Sequence, residues 1–265
     1  MATWHYGLVA DWWALFNTDG PEIDYFGEYV AAGQPALDAG CGAGRLLVPW
    51  LDAGYDVDGC DVSEDMLARC AERAHAAGHQ PTLVAQPLHE LEMPRRYRTI
   101  VVCGVFGLGT TWEQDAAALR RLHDALEPGG LLLLDNEAPY AAADQWRSWT
   151  AEGRAALPEP PKVPKQRRAA PDGTERGMTS RMLASDPLDQ TATLEIIGEL
   201  WRDGELVATE SRPLTLRLYL DAQVRAMLAD AGFELTAVHG DYEPAPPTGD
   251  TTFFVYHARK PAQDD

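Results

Sequence analysis

Ala36-Leu37-Asp38-Ala39-Gly40-Cys41-Gly42-Ala43-Gly44-Arg45-Leu46-Leu47 decides how the rest of the chain reads. A short apolar run ends in an acid, glycines follow at every second position, and a helical pattern begins. This predicts a buried strand, a tight turn and a helix start. Glycines suit a bend where the backbone turns sharply and a ligand approaches with no Cβ in the way. A helix N-terminus beyond the turn offers unpaired N–H groups and the positive end of a dipole. The dinucleotide fingerprint G-x-G-x-x-G needs a third glycine where Arg45 stands, so that spacing fails. A carboxylate at Asp38 repels a pyrophosphate but holds an ammonium group through charge-assisted hydrogen bonds.

Downstream, strands and helices alternate. Tyr55 to Cys60 reads as a second strand ending at Asp61, which lies 23 residues after Asp38. An acid about 20 residues past a glycine turn is placed to accept hydrogen bonds from both hydroxyls of a ribose. That spacing supports an adenosine ligand without choosing between nucleotide cofactors. Ser63 caps the next helix, Pro81 to Ala85 is a third strand, and Thr99 to Cys103 is a fourth, apolar throughout as a doubly buried strand requires. Thr111 and Gln114 form a capping box. Pro128-Gly129-Gly130 breaks that helix before a fifth strand, Leu131 to Asp135. Ligands in such sheets bind at the carboxyl ends of the strands, where Asp38, Asp61, Gln86, Cys103 and Asp135 lie.

Upstream, Val9, Trp12, Trp13 and Phe16 have helical spacing, and Ile23, Phe26 and Val30 give a second helix closing at Gly33. Beyond the fifth strand the composition shifts. Ala151 to Gly177 holds Pro158, Pro160, Pro161, Pro164 and Pro171 and six basic residues, so an irregular, mobile loop is expected. Its cluster Lys162, Lys165, Arg167 and Arg168 reads as a solvated loop or a subunit contact, with an acidic substrate as the other reading. Thr179 to Ser185, Thr191 to Trp201 and Leu206 to Tyr219 then read as antiparallel strands, with Asp203-Gly204 as a hairpin turn. Asp221 caps a further helix, and the strands Phe233 to Val238 and Thr252 to His257 complete the sheet.

The chain of 265 residues carries a formal net charge of −19. Such a balance disfavours nucleic acid, which is bound through Lys and Arg at its phosphates, and an anionic membrane surface. No apolar run is long enough to span a bilayer, and Met1 to Gly20 lacks the pattern of a secretion signal. Cys41, Cys60, Cys70 and Cys103 have no C-x-x-C spacing, so a reduced, cytoplasmic protein without a zinc site is expected.

Asp38-x-Gly40-x-Gly42-x-Gly44 resembles motif I of the class I S-adenosylmethionine (SAM)-dependent methyltransferases. Leu126-x-Pro128-Gly129-Gly130-Leu131 and Leu228-x-x-Ala231-Gly232-Phe233 resemble further features of that superfamily. The resemblance covers about Tyr6 to Tyr140 and Tyr219 to Lys260. It implies a doubly wound, mostly parallel seven-stranded α/β sheet with N-terminal helices and an inserted antiparallel β patch. The implied divisions are a helical lid over 1–33, a SAM-binding core over 34–150, the Pro-rich loop and β patch over 151–219, and completion of the sheet over 220–265. SAM is the implied cofactor. Tyr6, Asp38, Gly40, Cys41, Gly42, Gly44, Asp61, Val62, Met66, Gln86, Pro87, Leu88, Cys103 and Gly104 are its implied contacts. Tyr6 is of interest because a sulfonium is a cation attracted to aromatic faces.

Glu137, Tyr140 and His239 are the candidate catalytic residues, with Tyr242 beside them. The fourth strand is not followed by the Asn/Asp-Pro-Pro-Tyr/Phe tetrad of adenine N6 enzymes. The expected activity is methyl transfer to N or O of a small molecule without a metal. The abundance of Ala, Gly, Pro and Arg points to a high-GC source and so to secondary metabolism. A homodimer through the β patch is also expected. The alternatives are a non-catalytic SAM-binding regulatory or partner protein and an NAD(P)-dependent oxidoreductase.

Overall fold

Two helices, α1 (Gly7–Phe16) and α2 (Glu22–Ala32), precede the first strand. They lead into a sheet with helices on both faces. The computed structural model describes residues 3–141, 146–163 and 167–262. The first half alternates β1 (Ala36–Ala39), α3 (Leu47–Asp52), β2 (Val57–Asp61), α4 (Glu64–Ala76), β3 (Leu83–Ala85), β4 (Tyr97–Val102), α5 (Trp112–Ala125) and β5 (Leu126–Glu137). After α6 (Ala151–Ala155) come β6 (Arg167–Ala169), β7 (Glu175–Asp186), β8 (Thr191–Arg202) and β9 (Glu205–Arg217). The chain ends with α7 (Asp221–Asp230), β10 (Glu234–Gly240) and β11 (Phe253–Arg259).

The main sheet has the order β10-β11-β5-β4-β1-β2-β3. β1 to β5 pair in parallel, and β11 runs antiparallel to both β5 and β10. The pleat sends alternate residues to opposite faces, and each face has its own core. Ile100, Leu132, Leu134 and Tyr256 join Leu119 and Leu122 of α5 and Val224 and Leu228 of α7. Val101, Leu133 and Val255 join Phe26, Val30, Trp50, Leu67 and Cys70 from α2, α3 and α4. This is the doubly wound architecture the alternating pattern predicts.

The second sheet has the order β6-β7-β8-β9 and is antiparallel throughout. Asp203 and Gly204 sit at φ 51° and 82°, the left-handed pair that a two-residue type I′ hairpin demands. Ala192 and Ile196 of β8 are buried while the residues between them are less so. Ile196 and Leu214 pack with Trp4 and Val9, so this sheet closes over the N-terminal segment.

Several expectations are corrected. α3 begins at Leu47 and has six residues, so no helix starts directly at the glycine turn. β5 begins at Leu126, and its register with β4 jumps from Tyr97–Leu126 to Thr99–Leu131, leaving Pro128-Gly129-Gly130 as a bulge. Asp221 is the first residue of α7; Leu220 stands at its cap, its N–H donating to Gln223 Oε1 (2.9 Å).

The stretch read as an irregular loop contains α6 and β6, and its arginines are engaged. The Arg168 guanidinium lies 4.8 Å from the Phe16 ring and donates to the Phe16 carbonyl (3.3 Å). That of Arg167 lies 3.4 Å over Trp201. Lys162 pairs with Glu159 at 2.9 Å. Pro164 and Lys165 lie outside the described residues. Among the described residues, no helix is long and apolar enough to cross a membrane.

Candidate active site

β1 ends by placing Asp38 under the glycine turn, and the turn is shaped by three residues at positive φ: Gly40 (93°), Gly42 (52°) and Gly44 (78°). The N–H groups of Gly40 and Cys41 both donate to the Cys60 carbonyl (2.8 and 2.9 Å), which ties the turn to the end of β2. A Cβ on Gly40 would lie 2.7 Å from the Val105 methyls, and one on Gly42 would lie 3.1 Å from Met66 Cε. The turn is therefore bare because both backbone angle and space require it.

One cavity of about 400 Å³ opens above this turn at the carboxyl ends of β1, β2, β4 and β5. Asp38, Gly40, Cys41, Gly42, Asp61, Val62, Met66, Gln86, Pro87, Leu88, Cys103 and Gly104 line it together. Gly44 does not. It packs beneath the turn, where a Cβ would sit 2.8 Å from Cys70 Sγ and 2.9 Å from Val48 Cγ2.

Tyr6 does not line the cavity either. It is the residue preceding α1, and its ring lies 6.0 Å from the Arg212 guanidinium. Thr3, Trp4, His5, Trp13 and Asn17 supply the N-terminal wall instead. Burial pushes the His5 imidazole down to about 4, so it is neutral at pH 7.

The three catalytic candidates are not brought to the cavity. Glu137 is exposed at the end of β5, and Tyr140 is 41% exposed. His239 lies on the outermost strand, where its Nδ1 meets the Tyr25 hydroxyl (2.8 Å); the same hydroxyl meets His257 Nε2 (2.7 Å). Tyr242 does reach the cavity. Residues not singled out as contacts from the sequence also line it, among them Glu22, Arg45, Asp115 and Asp135. A strand-end position was the signal available for Asp135; Glu22 carries no comparable local signal.

The carboxylates sit in different environments. Asp61 accepts from the N–H groups of Ser63 (2.8 Å) and Gly42 (3.0 Å), which work against the rise that burial imposes on it. Asp135 accepts from Gly104 N–H (2.7 Å) and from the Tyr242 hydroxyl (2.7 Å), and burial holds it above the usual carboxylate range. Asp115 accepts from Thr110 (2.8 Å) and Tyr219 (2.6 Å).

Asp38 is 2% exposed, and its Oδ2 has no hydrogen-bond partner. Burial pushes its carboxyl up to about 7 against the opposing pull of Arg45. Arg45 itself pairs with Glu22. The indole N–H groups of Trp4 and Trp13 are likewise buried without partners. An unsatisfied buried polar atom costs about 1–3 kcal/mol. Three of them on residues that line one cavity describe a site shaped for a ligand bearing both a donor and acceptors. A zwitterionic amino acid joined to an adenosine has those groups. Among the described residues, no cluster of three or more His, Cys, Asp or Glu is placed to hold a metal ion.

Residues 36–130 match the model of a methyltransferase domain. Over 76 residues the chain is 39% identical to the magnesium-protoporphyrin O-methyltransferase of Synechocystis, covering 28% of this chain and 32% of that protein. The chain spans less than half the length of the curated relatives it matches first. Solved structures match over almost the whole chain. A SAM-dependent methyltransferase from Clostridium acetobutylicum superposes with a TM-score of 0.71 at 15% identity, covering 95% of this chain and 97% of that one. The sugar N-methyltransferase KedS8 from Streptoalloteichus gives 0.68 at 18% identity, covering 94% and 90%. Motif I, the seven-stranded order and the matched domain agree: residues 36–130 match a methyltransferase domain, and the chain has the fold of the class I SAM-dependent methyltransferases.

Proposed function

We propose that this protein binds SAM and transfers its methyl group to a nitrogen or oxygen of a small molecule, within secondary metabolism. The partnerless, buried carboxylate oxygen of Asp38 carries this reading, because an α-ammonium is the group that would satisfy it. In the proposed complex Asp61, preset by the Ser63 and Gly42 N–H groups, accepts from the ribose hydroxyls. Gln86, whose amide is held by the backbone of Glu92, stands with Pro87 and Leu88 on the adenine side. The cofactor supplies an electrophilic methyl on a positively charged sulfur. The chain contributes by holding two reactants in line, which accounts for much of the rate in such a displacement.

Calorimetry with SAM, with S-adenosylhomocysteine and with NAD tests the reading. Heat with the first two and none with NAD is the expected result; no heat with SAM overturns it. Asp61→Ala is expected to weaken SAM binding at least about tenfold, the loss of one to two charge-assisted hydrogen bonds. An unchanged affinity would mean that the ribose is held elsewhere. Transfer of labelled methyl to a panel of small amines, phenols and alcohols then separates an enzyme from a protein that only binds SAM.

A further inference from the structure

The cavity wall is acidic on the side away from Asp38 and Asp61 as well. Asp115 and Asp135 are both buried there, and Glu22 is engaged by Arg45. Arg45 is the one Lys or Arg among the described lining residues, so no unpaired cation is left for an anionic guest.

Tyr242 is held with unusual care. Asp241 and Tyr242 are consecutive non-glycine residues in the left-handed region, at φ 51° and 60°. Such backbone persists only where its surroundings hold it. Here the Asp241 carboxylate accepts from the N–H groups of Thr252 and Phe253 (both 2.9 Å), and the Asp241 N–H donates to the Phe253 carbonyl (2.8 Å). The Tyr242 ring is caged by Phe26 (5.7 Å between centroids), Tyr25 (6.0 Å) and Phe253 (5.5 Å). Its hydroxyl donates to Asp135, which leaves the phenol oxygen lone pairs as acceptors at the cavity.

From the charge of this wall and the fixed Tyr242–Asp135 pair, we infer that the acceptor is a small-molecule amine whose N–H groups are received by Asp135 and the Tyr242 oxygen. This rests on the methyltransferase reading above. An ammonium or amine carries enough N–H donors to meet both oxygens at once, whereas an alcohol has one and a carboxylate has none. The chemistry runs in the same direction. A guest bound as an ammonium first gives one proton to Asp135 and on to water; the nitrogen lone pair so freed forms the new N–C bond, the S–C bond breaks with its electron pair kept by sulfur, and the positive charge passes from sulfur to nitrogen. A carboxylate beside that nitrogen stabilises the charge as it arrives. Asp135 is suited to take the proton because burial raises its affinity for one.

The test uses the full chain saturated with S-adenosylhomocysteine and three probes of one shape: benzylamine, benzyl alcohol and benzoate. Their affinities are read by calorimetric or NMR titration. Benzylamine is expected to bind about tenfold or more tighter than benzoate and several-fold tighter than benzyl alcohol, as desolvated charge pairing dictates. Asp135→Asn is expected to remove the preference for amine while S-adenosylhomocysteine affinity stays within about twofold. If that variant loses its fold, Tyr242→Phe reads the same quantity, because it keeps the caged ring and deletes the oxygen; a fall of about threefold in amine affinity is expected. Equal or tighter binding of benzoate or benzyl alcohol overturns the inference. So does an absence of amine binding, or a preference that survives both substitutions. Failure of S-adenosylhomocysteine itself to bind overturns the parent reading and this one with it, and is seen separately in the first titration.

Discussion

Asp38 joins two facts that pull against each other. It is buried with one oxygen unpartnered, and burial has pushed its carboxyl up to about 7. A ligand ammonium requires the ionised form, so binding below about pH 7 must expel a proton. Affinity for S-adenosylhomocysteine is therefore expected to fall close to tenfold for each pH unit below about 7 and to level off above it. Calorimetry in buffers of different ionisation heat will show about one proton released at pH 6. The same group sets a sign for stability without ligand. Its folded value lies above the unfolded one, so its favourable contribution is complete below about pH 4 and is lost as pH rises through about 7. Gly40 gives a second prediction at this scale. Gly40→Ala places a Cβ 2.7 Å from Val105 at a φ of 93°, and is expected to cost about 2 kcal/mol or more in chemical denaturation.

α1 illustrates how an element is completed by its neighbours. Tyr6 precedes it and supplies no side-chain cap. The Gly7 N–H donates to Asp65 of α4 (2.8 Å), and the Leu8 N–H donates to Glu210 of β9 (3.2 Å). Arg69 of α4 also pairs with Asp11. The first turn of α1 is thus capped from two different parts of the fold, and these contacts hold Trp4, His5 and Trp13 at the cavity. Asp65→Ala and Glu210→Ala are each expected to cost about 1 kcal/mol, the usual value of a lost cap. Amide exchange at Gly7 to Ala10 should rise in both variants, and ligand affinity should fall a few-fold. Affinity unchanged with α1 fully exchanging would mean that the N-terminal wall contributes nothing to binding. The inserted sheet belongs to the same arrangement. Arg217 N–H donates to the Gly107 carbonyl (2.8 Å) and Gly109 N–H to the Thr215 carbonyl (3.1 Å), so β9 is stitched to the loop that follows β4.

At the scale of the whole molecule, the cavity is where the main sheet, the N-terminal segment and the loops that follow β4 and β10 converge, while the second sheet supplies no lining residue among those described and packs behind Trp4 and Val9. Its lining residues include three buried polar atoms without partners. Filling it joins those parts through one ligand. At about a hundred times its dissociation constant, a ligand specific to the native state adds about 2.7 kcal/mol. For a chain of this size that corresponds to a rise in Tm of about 5–10 °C. Thermal melts with S-adenosylhomocysteine should show that rise in the wild type and little of it in Asp61→Ala. Tryptophan fluorescence and far-UV dichroism should shift together, since Trp4 packs on the second sheet while Trp50 lies in the core of the first. Separate transitions would mean that the two sheets fold independently.

Local pattern was enough for the strand, bare turn and alternating elements around Asp38-x-Gly40-x-Gly42-x-Gly44. Each is written in the backbone preferences and burial of neighbouring residues. The spacing of Asp38 and Asp61 followed in the same way, because one strand-helix-strand repeat separates them. What the sequence by itself could not determine was which loop residues meet across the fold. His239 and Tyr242 are three residues apart. The strand order leaves His239 on the outer strand against Tyr25, while a left-handed turn swings Tyr242 back over β11 to Asp135. Trp4 and His5 rather than Tyr6 face the cavity because the capping contacts from α4 and β9 set the rotation of the N-terminal segment. Hydrophobic period and turn chemistry act over a few residues; these placements depend on contacts between residues up to about two hundred positions apart, and only the packed molecule determines them.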